Sequence, residues 1–476
     1  MTLTRWLSRR DPRYIRSLVY MLQASEYDIA HFWRWHERTN DFSAVEKRKK
    51  LVFTPKAIAL LAIGWLTVPL VIFLSGIAIT HHVFPWNYVV ALILILELPL
   101  FVLFDILVTL ALLRLIQAPV EYVLKSRAKQ TLASHKAVKI AIAGSFGKTS
   151  MREILKTVLS EGKKLAAPGG SQNTPLGIAK FVSTLKGDED VLIFELGEYY
   201  PGDVSKLCKI VRPTIGIITG VNEAHLEKFK TLERTAATIF ELADYLNGET
   251  VYVNGENDIS RGEARESHVL YSREGAASWK VSNPHTGLDG TSFVLTRGDV
   301  RIEAHSKLLG LHHIGPLAAA ADIASRLGLA PQEVQAGISK THAFDHRLEP
   351  ETEGAGVTTL DDSYNGNPDG VKAVIEFLAT LKGRRIYVTP GLVEMGARKE
   401  EVHKEIGRQL AQAGIEKVIL IRNSVTPFIE RGLKESGYKG ELIWFDEGLA
   451  AYKALPQMTV KGDIVLLQND WPDQYF

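Results

Sequence analysis

Gly144, Ser145, Gly147, Lys148, Thr149 and Ser150 lie together in the segment AGSFGKTS, and residues of these types at this spacing handle phosphate. Glycines let backbone N–H groups approach phosphate oxygens at the positive end of a helix. A lysine neutralises the terminal phosphates, and a threonine hydroxyl can bind magnesium. The full cradle pattern has a glycine five residues before Gly147, where this chain has Ile142. GKTS between a strand and a helix still points to a nucleotide, ATP or GTP, rather than to a plain glycine turn. Polar groups also follow two later apolar runs, Glu195 after residues 191–194 and Asn222, Glu223 and His225 after residues 214–221. A carboxylate beside a phosphate loop can complete a magnesium shell, and a neutral imidazole can join a second metal. Without further context Glu195 reads as a solvated strand end and His225 as a loop hydrogen bond.

The elements that must position these groups are legible around them. Residues 138–143 read as a strand, the glycines as a turn, and a helix starts near Lys148. Repetition of strand then loop predicts an α/β fold with a doubly wound parallel sheet and ligands at the carboxyl ends of its strands. A chain of 476 residues has room for about three domains. Its charge, 56 Lys and Arg against 54 Asp and Glu, nets +2, so no global field gathers nucleic acid and no such partner is expected. Cys208 is the single cysteine, which excludes an internal disulfide framework and a zinc site of several thiolates, and suits a reducing compartment.

The mean hydropathy of +0.01 averages over a strongly uneven chain. Residues 57–79 contain no charged side chain and are long enough as a helix to cross about 30 Å of hydrocarbon. A second apolar run, residues 88–113, carries Glu97 and Asp105, which must face a partner helix or an interface. With only two spans, helix pairing or snorkelling suits these carboxylates better than an ion path. The turn between the runs holds Pro85 and Trp86 but no Lys or Arg, whereas Lys47, Arg48, Lys49 and Lys50 precede the first run and Arg114, Lys125, Arg127 and Lys129 follow the second. This bias predicts a multi-pass anchor in the cell's inner membrane, with both termini and the catalytic domains cytoplasmic. The first apolar run begins more than fifty residues into the chain, which does not suit a cleavable signal. Residues 14–38 mix aromatics with Arg16, Arg34 and Arg38, as an interfacial amphipathic helix or a packed cytosolic helix would.

GSFGKTS, GGSQNTPLGIAKF, IFELGEYYPGDV, HLEKF, VNGEND, DHRLEP, LDDSYNGNP and GLVEMG followed by His403 occur in the order and approximate spacing of the Mur ligases, which this chain resembles from about residue 138 to about 403. The FELG, DDSYN and EMG segments are most similar to the MurF type, which adds D-alanyl-D-alanine to UDP-N-acetylmuramoyl-tripeptide. The resemblance implies a P-loop central domain over 137–345 and a Rossmann-like C-terminal domain over 346–476. A cytosolic or interfacial helical segment (1–55) and a transmembrane hairpin (56–124) would precede them. Mur-type ligases phosphorylate a carboxylate with ATP and let an amine displace phosphate from the acyl phosphate. Carried over residue by residue, Lys148 would hold the terminal phosphates, Thr149 and Glu195 the first magnesium, and His225 the second metal. Asn173 and Thr174 would lie by the phosphates and acceptor carboxylate. Arg347 would contact ATP from the domain junction, and Asp362 would meet the ribose.

Departures from the family fall in the same machinery. The lysine that is carbamylated in relatives has no counterpart near Thr238 and Ile239; His312 and His313 stand where His-Asn usually contacts adenine; and LLQNDWPDQYF replaces the usual tail. The hairpin occupies the place of the customary UDP-sugar-binding domain. For the lost negative charge, Glu241 and Glu223 are the candidates, with Thr238 able to hold only a metal-bound water. The leading expectation is a membrane-anchored, ATP- and Mg2+-dependent amide ligase taking a UDP-sugar-peptide precursor and an amino acid or dipeptide. A membrane-anchored P-loop kinase and a degenerate ligase serving as a scaffold are the alternatives.

Overall fold

A computed structural model describes residues 3–46, 50–81, 85–170, 172–223, 229–352, 356–364, 366–393 and 395–469. Lys47, Arg48, Lys49 and His225, all singled out above, lie outside them. The described residues divide into two compact units, one up to Val123 and one from Leu124 to the last described residue, Asn469.

The first unit is helical: α1 (Leu3–Ser8), α2 (Tyr14–Ala24), α3 (Ile29–Arg38), α4 (Pro55–His81), α5 (Trp86–Leu96) and α6 (Leu98–Ser134), the last running on past the unit's limit. Leu18 and Met21 of α2 share a core with Leu60 of α4 and Ile106 of α6. Residues 14–24 therefore form a helix packed against α4 and α6. Close packing there depends on Gly64, because a Cβ at that position would sit 2.8 Å from Ile15 Cγ2. Helices α4 and α6 are long and apolar enough to cross a membrane, by length and composition alone. The second apolar run is not one helix over 88–113 but breaks at Glu97, between α5 and α6. Pro99 accounts for the break, since it has no N–H to continue the α5 ladder. Asp105 has the pairing role expected of it, as Thr67 Oγ1 of α4 donates to its Oδ2 at 2.7 Å.

The second unit holds two sheets. The larger has ten strands in the order β10-β9-β8-β7-β6-β5-β4-β1-β3-β2. Its parallel part comprises β1 (Val138–Ala143), β2 (Leu165–Ala166), β3 (Val191–Glu195), β4 (Ile215–Ile218), β5 (Thr250–Asn254) and β6 (Val269–Ser272). The strands β7 (Gly275–Ala276), β8 (Trp279–Gly287), β9 (Gly290–Arg297) and β10 (Val300–Ser306) continue it antiparallel. Continuous apolar runs such as VLIF in β3 suit strands covered on both faces. One face packs on α7 (Lys148–Leu159) and the helix Ile314–Arg326, and the other on α8 (Pro175–Val182), α9 (Asp203–Val211) and the helix Leu232–Tyr245.

The smaller sheet has the order β11-β12-β16-β13-β14-β15, from β11 (Glu349–Thr352), β12 (Thr358–Asp362), β13 (Arg385–Thr389), β14 (Lys417–Ile421), β15 (Glu441–Phe445) and β16 (Ile464–Gln468). All neighbours are parallel except the β11 edge. Separate cores cover its two faces. The α/β reading of the ligase region therefore matches the observed architecture.

Candidate functional site

Strand β1 lies between β3 and β4, so strand order reverses there and the carboxyl end of β1 opens into a crevice, the usual ligand position in such sheets. The chain leaves β1 at Gly144 with φ +150°, and a Cβ at that residue would fall 2.1 Å from Thr219 Oγ1. Only glycine fits that approach. Across the loop, a Cβ at Gly220 would fall 2.3 Å from the Phe146 ring. Thr219 Oγ1 donates to the Phe146 carbonyl, and Ser145 N donates to Gly220 O at 2.9 Å, so the loop after β4 clamps the phosphate loop in shape. Gly147 then caps α7, whose first residues are Lys148, Thr149 and Ser150.

Thr149 Oγ1 donates to Glu195 Oε2 at 3.2 Å, bringing together the two residues expected to hold the first magnesium. Arg152 Nη1 lies 2.7 Å from Glu195 Oε1 and also donates to Gly170 O at 3.0 Å. Burial raises the Glu195 carboxyl above its usual range, against the pull of Arg152 and Lys148. Lys148 Nζ donates to Glu198 Oε1 at 2.7 Å and to the Gly144 carbonyl. Neither Glu198 nor Arg152 was singled out in the sequence, although spacing could have found both. Glu198 follows Glu195 by three residues in ELGE, and Arg152 follows Lys148 by one helical turn. Ser145 Oγ accepts from Asn222 N at 3.3 Å. Asn173 lies beside the loop after Glu195, its carbonyl accepting from Gly197 N at 2.9 Å. Thr174 Oγ1 accepts from Gly177 N at 3.2 Å, the N-cap of α8.

Residues of the smaller sheet's domain form the opposite wall of a cleft of about 250 Å³, where Gly147 and Ser150 meet Arg347 and Asp362. The Arg347 guanidinium stacks 4.5 Å from the centroid of the Tyr364 ring. Asp362 ends β12 and accepts from Gln468 Nε2 at 2.7 Å, while the Tyr387 hydroxyl donates to Gln468 Oε1. Burial pushes the Asp362 carboxyl up to about 7. His312 and His313 line the same cleft with ring centroids 4.0 Å apart, and burial pushes His313 down to about 4. Side-chain contacts join the walls: Asn222 Nδ2 donates to Asn367 Oδ1 and Asp369 Oδ2, each at 2.9 Å, Arg398 pairs with Glu223, and Arg273 Nη2 donates to Glu376 Oε2 at 3.1 Å. Buried His403 accepts from Leu392 N at 2.9 Å through Nε2, so Nδ1 bears the hydrogen and donates to Lys399 O. It secures the GLVEMG loop.

The two candidates for replacing the carbamate's charge, and Thr238 beside them, are otherwise engaged. Glu241 accepts from the backbone N–H groups of Gly202 at 2.7 Å and Ser205 at 2.8 Å, capping α9. Glu223 pairs with Arg398. Thr238 is buried and donates to Arg234 O at 2.9 Å within its own helix. Shared position on a helix face does not bring Glu241 to a metal, because exposed N–H groups at the start of α9 claim its carboxylate first. Among the described residues no group of three or more His, Cys, Asp or Glu could hold a metal ion.

Two family models match the chain, the Mur ligase middle domain over residues 142–324 and the Mur ligase glutamate ligase domain over residues 346–468. The UDP-N-acetylmuramoyl-tripeptide–D-alanyl-D-alanine ligase of Escherichia coli K12 is 27% identical over 288 residues, 59% of this chain and 64% of that one. Its Bacillus subtilis 168 counterpart is 23% identical over 333 residues, 69% and 72% of the two chains. The chain thus spans a little under two thirds of the length of the first. Among solved structures, MurF ligase from Thermotoga maritima in complex with ADP superposes with a TM-score of 0.65 at 24% identity, covering 74% of this chain and 80% of that one. MurF from Acinetobacter baumannii gives 0.65 at 21% identity, covering 73% and 77%. The phosphate loop, the cleft between two α/β sheets and the two adjoining family domains agree, and the chain belongs to the Mur ligase family.

Proposed function

We propose that the chain is an ATP- and magnesium-dependent amide ligase of the MurF kind, joining D-alanyl-D-alanine or a similar amine to the carboxylate of a UDP-muramoyl peptide. The observation that carries this reading is one cleft lined both by the phosphate loop and by Arg347 and Asp362 from the second sheet. The residues present suit both groups. The cradle leaves no space for a Cβ at Gly144, and buried Glu195 presents a carboxylate beside the Thr149 hydroxyl, the oxygen donor set that magnesium takes. Magnesium takes one or two carboxylates with water and phosphate, which matches a site of Thr149 and Glu195. When bound, ATP supplies the phosphoryl group that activates the acceptor carboxylate, and magnesium neutralises its charge.

The chain's own residues do the rest. Lys148 would neutralise the terminal phosphates, with the amides of Gly147 to Ser150 at the positive end of α7. Arg347 would meet the nucleotide from the opposite wall, held in orientation by the Tyr364 ring, and Asp362 would accept from the ribose, oriented by Gln468. Asn173 would lie toward the acceptor carboxylate, and His225 would serve a second metal. Closure of the two walls through Asn222 and Glu223 would exclude water from the reacting groups.

The ligase would work at a membrane. Trp65, Leu66, Leu70, Ile72 and Phe73 of α4 are exposed, while the polar pair Thr67–Asp105 points inward, an inside-out pattern that suits lipid. Inner-membrane attachment with cytoplasmic catalytic domains follows from the basic flanks. Detergent-purified protein incubated with ATP and a panel of UDP-muramoyl peptides and dipeptides tests the reading. Phosphate release requiring both acceptor and amine is the expected result; autophosphorylation without an acceptor would replace it with a kinase.

A further inference from the structure

Resting on the ATP reading above, we infer that Glu198 is the counter-ion of the phosphate-loop lysine. It holds the Lys148 ammonium until a triphosphate takes it, and then faces the divalent cation that accompanies the nucleotide. Glu198 is only 3% exposed, and its Oε1 accepts from Lys148 Nζ at 2.7 Å. Its Oε2 is buried with no hydrogen-bond partner among the described residues. Half of the carboxylate is thus committed to Lys148, and half is available to a cation.

Charge accounting around the loop requires such an exchange. A buried carboxylate is tolerated when paired and costly when its partner leaves. A lysine that turns toward phosphates strips Glu198 of its cation and leaves two anions facing each other. Arg152 is already occupied by Glu195, Glu153 and the Gly170 carbonyl and is not free to take over. A divalent cation arriving with the nucleotide restores the balance, with oxygen ligands of the kind magnesium prefers. Glu198 thereby makes metal and nucleotide binding cooperative, and such coupling is reciprocal.

Displacement of a fluorescent ATP analogue from the full-length protein, in EDTA and at saturating Mg2+, measures this coupling. In EDTA, Glu198→Gln is expected to bind ATP about tenfold more tightly than wild type, because a competitor for Lys148 is gone, and its gain from Mg2+ falls by about the same factor. An Mg2+ gain within twofold of the wild-type value overturns the inference. Lys148→Met supplies a measurement that does not depend on how Glu198→Gln folds. With Glu198 released, Mn2+ should bind this variant about tenfold more tightly in the absence of nucleotide, read by electron paramagnetic resonance. Unchanged Mn2+ affinity overturns the inference as well. Absence of MgATP binding by the wild type instead overturns the ATP reading, and this inference with it.

Discussion

At the residue scale, the phosphate loop concentrates charge in little space. Lys148, Arg152 and Arg347 all act on Glu195, and Lys148 is bonded to Glu198. Preorganised cations of this kind stabilise charge that develops on a transferring phosphoryl group, and losing one typically costs a factor of about 100 or more in rate. Lys148→Ala is therefore expected to lower ATP-dependent ligation at least about 100-fold while leaving the protein folded, although loss of the cation beside buried Glu198 lowers its stability. Retention of more than about a tenth of the activity would remove this loop from the mechanism. Glu195 differs from Glu198 in its partners, since it already meets the Thr149 hydroxyl and Arg152.

At the element scale, helix ends explain why a plausible metal ligand is not one. Helix α9 starts at Asp203 after Gly202, with no side chain of its own capping residue bonded to its first amides. Glu241, from the neighbouring helix Leu232–Tyr245, accepts from Gly202 and Ser205 and so fixes the packing of the two helices. Removing a cap of this kind costs about 1–2 kcal/mol. Glu241→Ala should therefore lower stability by about that amount in denaturant titration and leave the magnesium concentration for half-maximal activity unchanged. A raised magnesium requirement at unchanged stability would restore Glu241 as a metal-site residue. The loop after β4 works similarly, with Asn222 and Glu223 on one wall and Asn367, Asp369 and Arg398 on the other.

At the scale of the whole molecule, the chain joins a helical unit with outward apolar side chains to a ligase body of two α/β domains. Basic residues flank the apolar helices at both ends, and the turn around Pro85 has none. Charge bias of this sort orients hairpins with both ends in the cytoplasm. Tags at the N- and C-termini are expected to resist protease added to sealed right-side-out vesicles and to be cleaved once the vesicles are opened. Cleavage of the C-terminal tag in intact vesicles would place the ligase body on the outer side and overturn the orientation.

The sequence by itself determined what is local or periodic: the glycines and Lys148-Thr149 of the phosphate loop, the uncharged run of α4, and the strand end carrying Glu195. These follow from backbone conformation, side-chain type and short spacing, which neighbours in the chain decide. Ordered motifs then sufficed for the α/β ligase fold. Tertiary structure decided which partners polar groups take when several compete. Glu241 and Glu223 had suitable chemistry for a metal, yet unpaired amides of α9 and the Arg398 guanidinium claimed them. Glu198 has no role assigned within IFELGEYYPGDV and still became the Lys148 partner, because the loop after β3 returns it to the start of α7. The break at Glu97 lay between: Pro99 was visible, but hydropathy averages over a run and does not register one missing N–H. Long-range pairing of this kind depends on distances in space that composition and period do not encode.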